Sequence, residues 1–185
     1  MRILAEDSIL VVVDFQEKLV PHIYNGDAVV EKTAKLIRGM KALGVPVIAT
    51  QQYTRGLGNS VLEIADAMGA ESSEKMDFVE KSSFSCFDCE EFRERLEKSG
   101  RRNVIICGIE GHVCVSQTLV DAKAAGYTPV PVIDCISSRT QQNFKVAVKR
   151  FEYEDVVITS FESILFELCR YSGNDKFKAI SALIK

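Results

Sequence analysis

Short apolar runs alternate with amphipathic stretches along most of the chain. The runs cover residues 9–13, 45–49, 104–107, 130–133 and 156–158, and Val and Ile dominate them. None shows polar alternation, which fits parallel strands covered on both faces. Residues 76–80 form a weaker sixth run, included for its place in the alternation. Between the runs, Val30, Ala34, Ile37, Lys41 and Gly44 recur at helical spacing after Asp27, the predicted cap. A helix face begins near Cys114 and continues through Val120 and Ala124. Ser138 followed by Gln141 resembles a capping box that opens another helix. Strand–helix–strand repetition predicts a doubly wound α/β sheet, because parallel neighbours need crossover connections. Pro129 and Pro131 fit poorly inside a strand, so regular pairing is expected to begin near Pro131. No repeat or linker interrupts the pattern, and one domain over 1–185 is expected.

Ligands bind such sheets beyond the carboxyl ends of the strands. That edge collects Asp14 after the first strand, Gln52 and Tyr53 after the second, Lys81 after the third, and Ile109 and Glu110 after the fourth. The next helix opens near Cys114. Free N–H groups at a helix start favour negative charge. They would stabilise a thiolate and hold an oxyanion, and Lys81 would lower the thiol pKa further. Asp14 could take the thiol proton and return it to a leaving group.

Composition removes several other classes. A net charge of −3 on 185 residues, with basic and acidic groups interleaved, gives no nucleic-acid footprint. No apolar run reaches the roughly 20 residues of a membrane span, and acidic residues follow residue 4 at once. A cytoplasmic location is therefore expected. Six cysteines in so long a chain read as reduced thiols.

Val13-Asp14-Phe15-Gln16, Lys81-Ser82-Ser83-Phe84-Ser85-Cys86-Phe87 and Gly108-Ile109-Glu110 leading to Cys114-Val115 occur in that order. Together they resemble the isochorismatase-like cysteine hydrolase superfamily over nearly the whole chain. Gln51-Gln52-Tyr53 and Ser137-Ser138-Arg139 look most similar to its isochorismatase domain-containing branch. The resemblance implies a three-layer α/β/α sandwich with a six-stranded parallel sheet. It implies Asp14 as general base and acid, Lys81 as activator and Cys114 as the nucleophile that forms an acyl-enzyme. It also implies a cis Ile109–Glu110 peptide beside the oxyanion site, with Gln16, Gln52, Tyr53 and Phe84 as substrate-binding positions. A homo-oligomer acting on a small amide, carbamoyl or ureido compound without a cofactor is expected. Relatives that bind a metal carry histidines where this chain has Gln52 and Tyr53, so no metal is expected.

Ester or thioester hydrolysis by the same trio, or an inactive oligomeric scaffold, are the competing readings. His112 lies two residues from Cys114 and would face it only in an irregular turn. Cys86 and Cys89 form a CxxC without the strand context of a redox motif or the second ligand pair of a zinc site. Glu110 either points inward, disfavouring anionic substrates and favouring neutral or cationic amides, or points away and bonds to the backbone.

Overall fold

The computed structural model describes residues 2–185, so Met1 lies outside it. Five of the apolar runs become strands β1 (Ser8–Val13), β2 (Val47–Gln52), β3 (Val79–Lys81), β4 (Asn103–Gly108) and β5 (Thr128–Ile136). They pair in parallel in the order β3-β2-β1-β4-β5. The helices are α1 (Gly26–Leu43), α2 (Thr54–Leu57), α3 (Leu62–Met68), α4 (Glu90–Ser99), α5 (Ser116–Ala124), α6 (Gln141–Tyr153), α7 (Phe161–Cys169) and α8 (Phe177–Ile184).

All six residues of β1 are buried, and they alternate between two cores. Leu10 and Val12 pack toward α1, α3, α7 and α8, whereas Ile9, Val11 and Val13 pack toward α4, α5 and α6. This is the three-layer α/β/α sandwich. It accounts for the unbroken apolar runs, since each strand face meets a helical layer. The long helix α1 buries Val29, Ala34, Leu36, Ile37 and Met40 and ends at Gly44, whose φ of 78° suits a residue without Cβ.

The sheet has five strands, not six. Residues 156–158 form no strand, and the sixth position is reduced to one parallel bridge between Val132 and Thr159. The backbone explains the loss. Thr128 N–H points toward β4, donating to Arg102 O at 2.9 Å, so residues 129, 131 and 133 face the outer edge. Pro129 and Pro131 have no N–H to offer there. Only Ile133 donates to Thr159 O, at 3.0 Å, while Thr159 donates back to Pro131 O at 3.1 Å. The same geometry lets both prolines sit inside β5, so pairing begins at Thr128 and not near Pro131.

Two helix starts also differ from expectation. Asn25 precedes α1 in a left-handed conformation, displacing Asp27 into the first turn. Thr140 caps α6 by accepting from Asn143 N–H at 3.1 Å, while the Ser138 hydroxyl accepts from His112 N–H at 3.2 Å.

Strand order reverses between β1 and β4, so the crevice above those two strands is the switch point of the fold. Gly108 closes β4 there with φ 152°, and a Cβ on it would lie 2.5 Å from Val13 Cβ. After the turn at Ile109 and Glu110, residues Gly111–Val115 form a π-helical turn that runs into α5. Such turns are frequent at functional sites.

Candidate active site

Asp14 follows β1 with φ 55°, a left-handed turn that Asp tolerates better than most residues. Its side chain is fully buried. Oδ1 accepts from Thr50 Oγ1 at 2.7 Å and Oδ2 accepts from Lys81 Nζ at 2.6 Å. The Asp14–Lys81 pair has no exposed side-chain surface on either partner. Lys81 Nζ also donates to Gln52 Oε1 at 2.7 Å, Ser83 O at 3.2 Å and Phe84 O at 3.3 Å. Burial pulls the ammonium toward neutrality, but Asp14, with Cys114 and Cys86, outweighs it and the net shift is upward. Lys81 therefore stays charged.

Cys114 lies in the π-helical turn, buried beside Asp14. Burial pushes its thiol up to about 12, Asp14 adds to the rise and Lys81 opposes it. This corrects the expectation of a resting thiolate. The helix start and Lys81 are present, but an anionic carboxylate beside a desolvated sulfur wins. The thiol is held protonated against the group that can remove its proton.

The Ile109–Glu110 peptide is cis. Among the described residues, the Glu110 N–H donates to no acceptor. The Glu110 side chain turns to Arg139, bonded to Nε and, at 3.3 Å, to Nη2. Both line a cavity of about 390 Å³ with Lys18 and His22. Glu110 thus points away from the thiol, toward a side-chain partner rather than backbone.

The substrate-binding positions divide. Gln16 is fully buried; its Nε2 donates to Gln52 O and Gly58 O at 3.0 and 2.8 Å, and its Oε1 accepts from Gln52 N–H at 2.7 Å. It pins the loop after β1 to the end of β2. Gln52 holds Lys81 and donates to Ser82 O at 2.7 Å. Tyr53 and Phe84 follow β2 and β3 with 57% and 55% of their surface exposed, so both rings stand at the rim.

His112 does not pair with Cys114. Its Nε2 lies 3.3 Å from Asn143 Nδ2, and the ring lines a separate cavity of about 590 Å³ with Ser116, Gln117 and Asp121. The CxxC thiols are both free and turn to different neighbours: Cys89 donates to Glu80 O, while Cys86 is buried near Thr50 and Thr118. Its backbone N–H donates to Thr118 Oγ1 at 3.0 Å, and Ser85 Oγ donates to Asp121 at 2.5 Å, tying the loop after Lys81 to α5. Thr50 and Cys86 were not anticipated as part of this centre. The one available signal was a hydroxyl at the end of a buried apolar strand.

Known proteins resemble this chain over nearly its full length. The structure described as MAR1 ribonuclease from Caenorhabditis elegans superposes with a TM-score of 0.90 at 32% identity, covering 100% of this chain and 92% of that one. The secreted isochorismatase effector Isc1 of Phytophthora sojae is 36% identical over 185 residues, which are 100% of this chain and 87% of that protein. Isochorismatase domain-containing protein 1 of Salmo salar is 37% identical over 93% of this chain, which spans only 59% of the salmon protein. The isochorismatase domain model matches residues 8–163. The chain belongs to the isochorismatase family, with isochorismatase domain-containing proteins among its relatives.

Proposed function

We propose that the chain is a cysteine hydrolase that opens a small amide, carbamoyl or ureido compound through an acyl-enzyme on Cys114. The observation that carries this reading is the buried Asp14 carboxylate, ion-paired to Lys81 at 2.6 Å and close enough to the buried Cys114 thiol to act on it electrostatically. A carboxylate so placed can accept the sulfur's proton as the C–S bond forms. The thiolate then exists only during attack, which suits a thiol held near 12 at rest.

In the proposed sequence, the Cys114 S–H proton passes to Asp14 while Sγ bonds to the substrate carbonyl carbon. The N–H groups of Glu110 and Cys114 meet the oxyanion. Asp14 returns the proton to the leaving nitrogen and the C–N bond breaks, releasing ammonia or an amine. Water then attacks the thioester, Asp14 takes its proton, the C–S bond breaks and the thiol is restored. Lys81 keeps its charge throughout, because its three N–H groups already face four acceptors. Tyr53 and Phe84 wall the entrance. Self-association and a cytoplasmic location belong to the same proposal; the six free thiols fit a reducing compartment.

The test is ammonia or amine release from a panel of small amides, ureas and carbamoyl compounds, with esters, thioesters and an RNA oligonucleotide as competing substrates. Turnover of an amide that falls at least about a thousandfold in Cys114→Ala is expected. Preference for the ester or RNA arm, or turnover unchanged in Cys114→Ala, would overturn the reading.

A further inference from the structure

Asp14 is held by two donors from two neighbouring strands. Lys81 on β3 accounts for Oδ2, and Thr50 on β2 accounts for Oδ1 at 2.7 Å. Thr50 is 1% exposed and Asp14 is fully buried, so no solvent can replace that hydroxyl. Near Thr50 stands Cys86, buried and fixed through its backbone to Thr118 on α5. The backbone adds a second tie, since Asp14 N–H donates to Thr50 O at 3.2 Å. Thr50 and Asp14 therefore move as one unit.

We propose that Thr50 is a positioning residue for the base: its hydroxyl fixes the rotation of the Asp14 carboxylate toward Cys114. This rests on the reading of Asp14 as the group that takes the thiol proton. Lys81 alone would leave the carboxylate free to turn about the bond to its own Cβ. A second donor on the other oxygen removes that freedom. A hydrogen bond to a carboxylate also favours its charged form, so losing the donor makes protonation easier. The titratable groups that face Asp14 are Lys81 from β3, Cys114 from the π-helical turn and Cys86 from the loop after β3. Neither thiol titrates on the acid side of neutrality, as burial holds both near 12, and Lys81 stays charged. An acid limb in Cys114 reactivity therefore reports the carboxylate that accepts its proton.

Alkylation of Cys114 by iodoacetamide, followed on its peptide by mass spectrometry from pH 3 upward, reads this without any substrate. Wild type, Thr50→Val, Thr50→Ser, Thr50→Ala and Asp14→Asn are compared after circular dichroism confirms folding. The limb is expected to vanish in Asp14→Asn. In Thr50→Val it should move to higher pH by about one unit, a tenfold slower reaction at a given pH on the limb. Thr50→Ser, which restores the hydroxyl, should track wild type, and Thr50→Ala should repeat the valine result if the valine variant does not fold. A purely structural role for Thr50 would lower the melting temperature and leave the limb in place, which would overturn the inference. A limb that persists in Asp14→Asn would overturn the base assignment and this inference with it.

Discussion

Lys81 carries three N–H bonds and meets four acceptors, one of them a carboxylate with no exposed surface. Its role follows from that saturation: it holds a charge in place and has no hydrogen left for a substrate. Removing it leaves Asp14 as a buried anion with Thr50 as its remaining side-chain donor. Breaking one side of a buried pair costs about 3–5 kcal/mol, whereas removing both partners costs less than the sum. Urea denaturation should rank Lys81→Met below the double variant Asp14→Asn/Lys81→Met, even though the second change removes another native group. Equal or lower stability of the double variant would mean that the carboxylate left unpaired at Asp14 is not the source of the loss in Lys81→Met. The resting thiol gives a companion expectation. Because burial and Asp14 hold Cys114 near 12, its alkylation rate should stay flat through neutral pH and climb only in strong base. A rise centred near pH 8 would indicate an ordinary solvated thiol instead.

The elements that deliver these residues end abruptly, and Gly108 shows why they must. Its Cβ position lies 2.5 Å from Val13 Cβ and 2.7 Å from Val13 O, with φ at 152°. Gly108→Ala should therefore push β4 from β1 at the point where the turn toward Cys114 begins. Overpacking combined with a glycine-only conformation predicts a loss of about 2–4 kcal/mol, readable as a lower urea midpoint, together with slower Cys114 alkylation. A variant as stable and reactive as wild type would show that the strands have room to separate. The strands themselves were legible in the chain, because burial on both faces writes an unbroken run of Val and Ile at Ile9 as at Ile105. The run at 156–158 has the same composition and no strand. Its partner would be the outer edge of β5, where Pro129 and Pro131 lack the donors, and composition does not record which way an N–H points. Asp14 and Lys81 were legible as candidate positions because each sits where a strand meets its loop, and Cys114 because a helix was expected to open beside it. Thr50 was not, since its importance comes from a side-chain contact with a different strand. Gln16 was legible as a motif position but not in its use, which depends on the loop at Gly58. The state of Cys114 was misread for a similar reason: the helix start is visible in sequence, whereas the depth of burial beside Asp14 is not.

At the scale of the whole molecule, the free thiols set a limit on alkaline stability. Cys86, Cys107, Cys114 and Cys135 are buried, and burial raises each thiol above its ordinary value near 9, to about 12 for Cys86 and Cys114. In the unfolded chain all four ionise near that ordinary value, so above it unfolding releases protons that the folded state retains. The sign is then fixed: these groups contribute stability in full below about pH 9 and lose it as pH rises toward and past 12. Each contributes a slope of about 1.4 kcal/mol per pH unit within that window. Melting temperature should accordingly be flat between pH 7 and 8.5 and fall steeply from pH 9 to 11. Cys107 is the clean probe, because it packs in the core on the α1 side and donates only weakly to Val11 O, at 3.7 Å. Cys107→Ala should start from a lower melting temperature at pH 7, through the cavity it leaves, yet show a shallower alkaline decline than wild type. Parallel curves would mean that the thiol at 107 ionises as easily folded as unfolded, and that the alkaline limit is set by groups other than the buried cysteines.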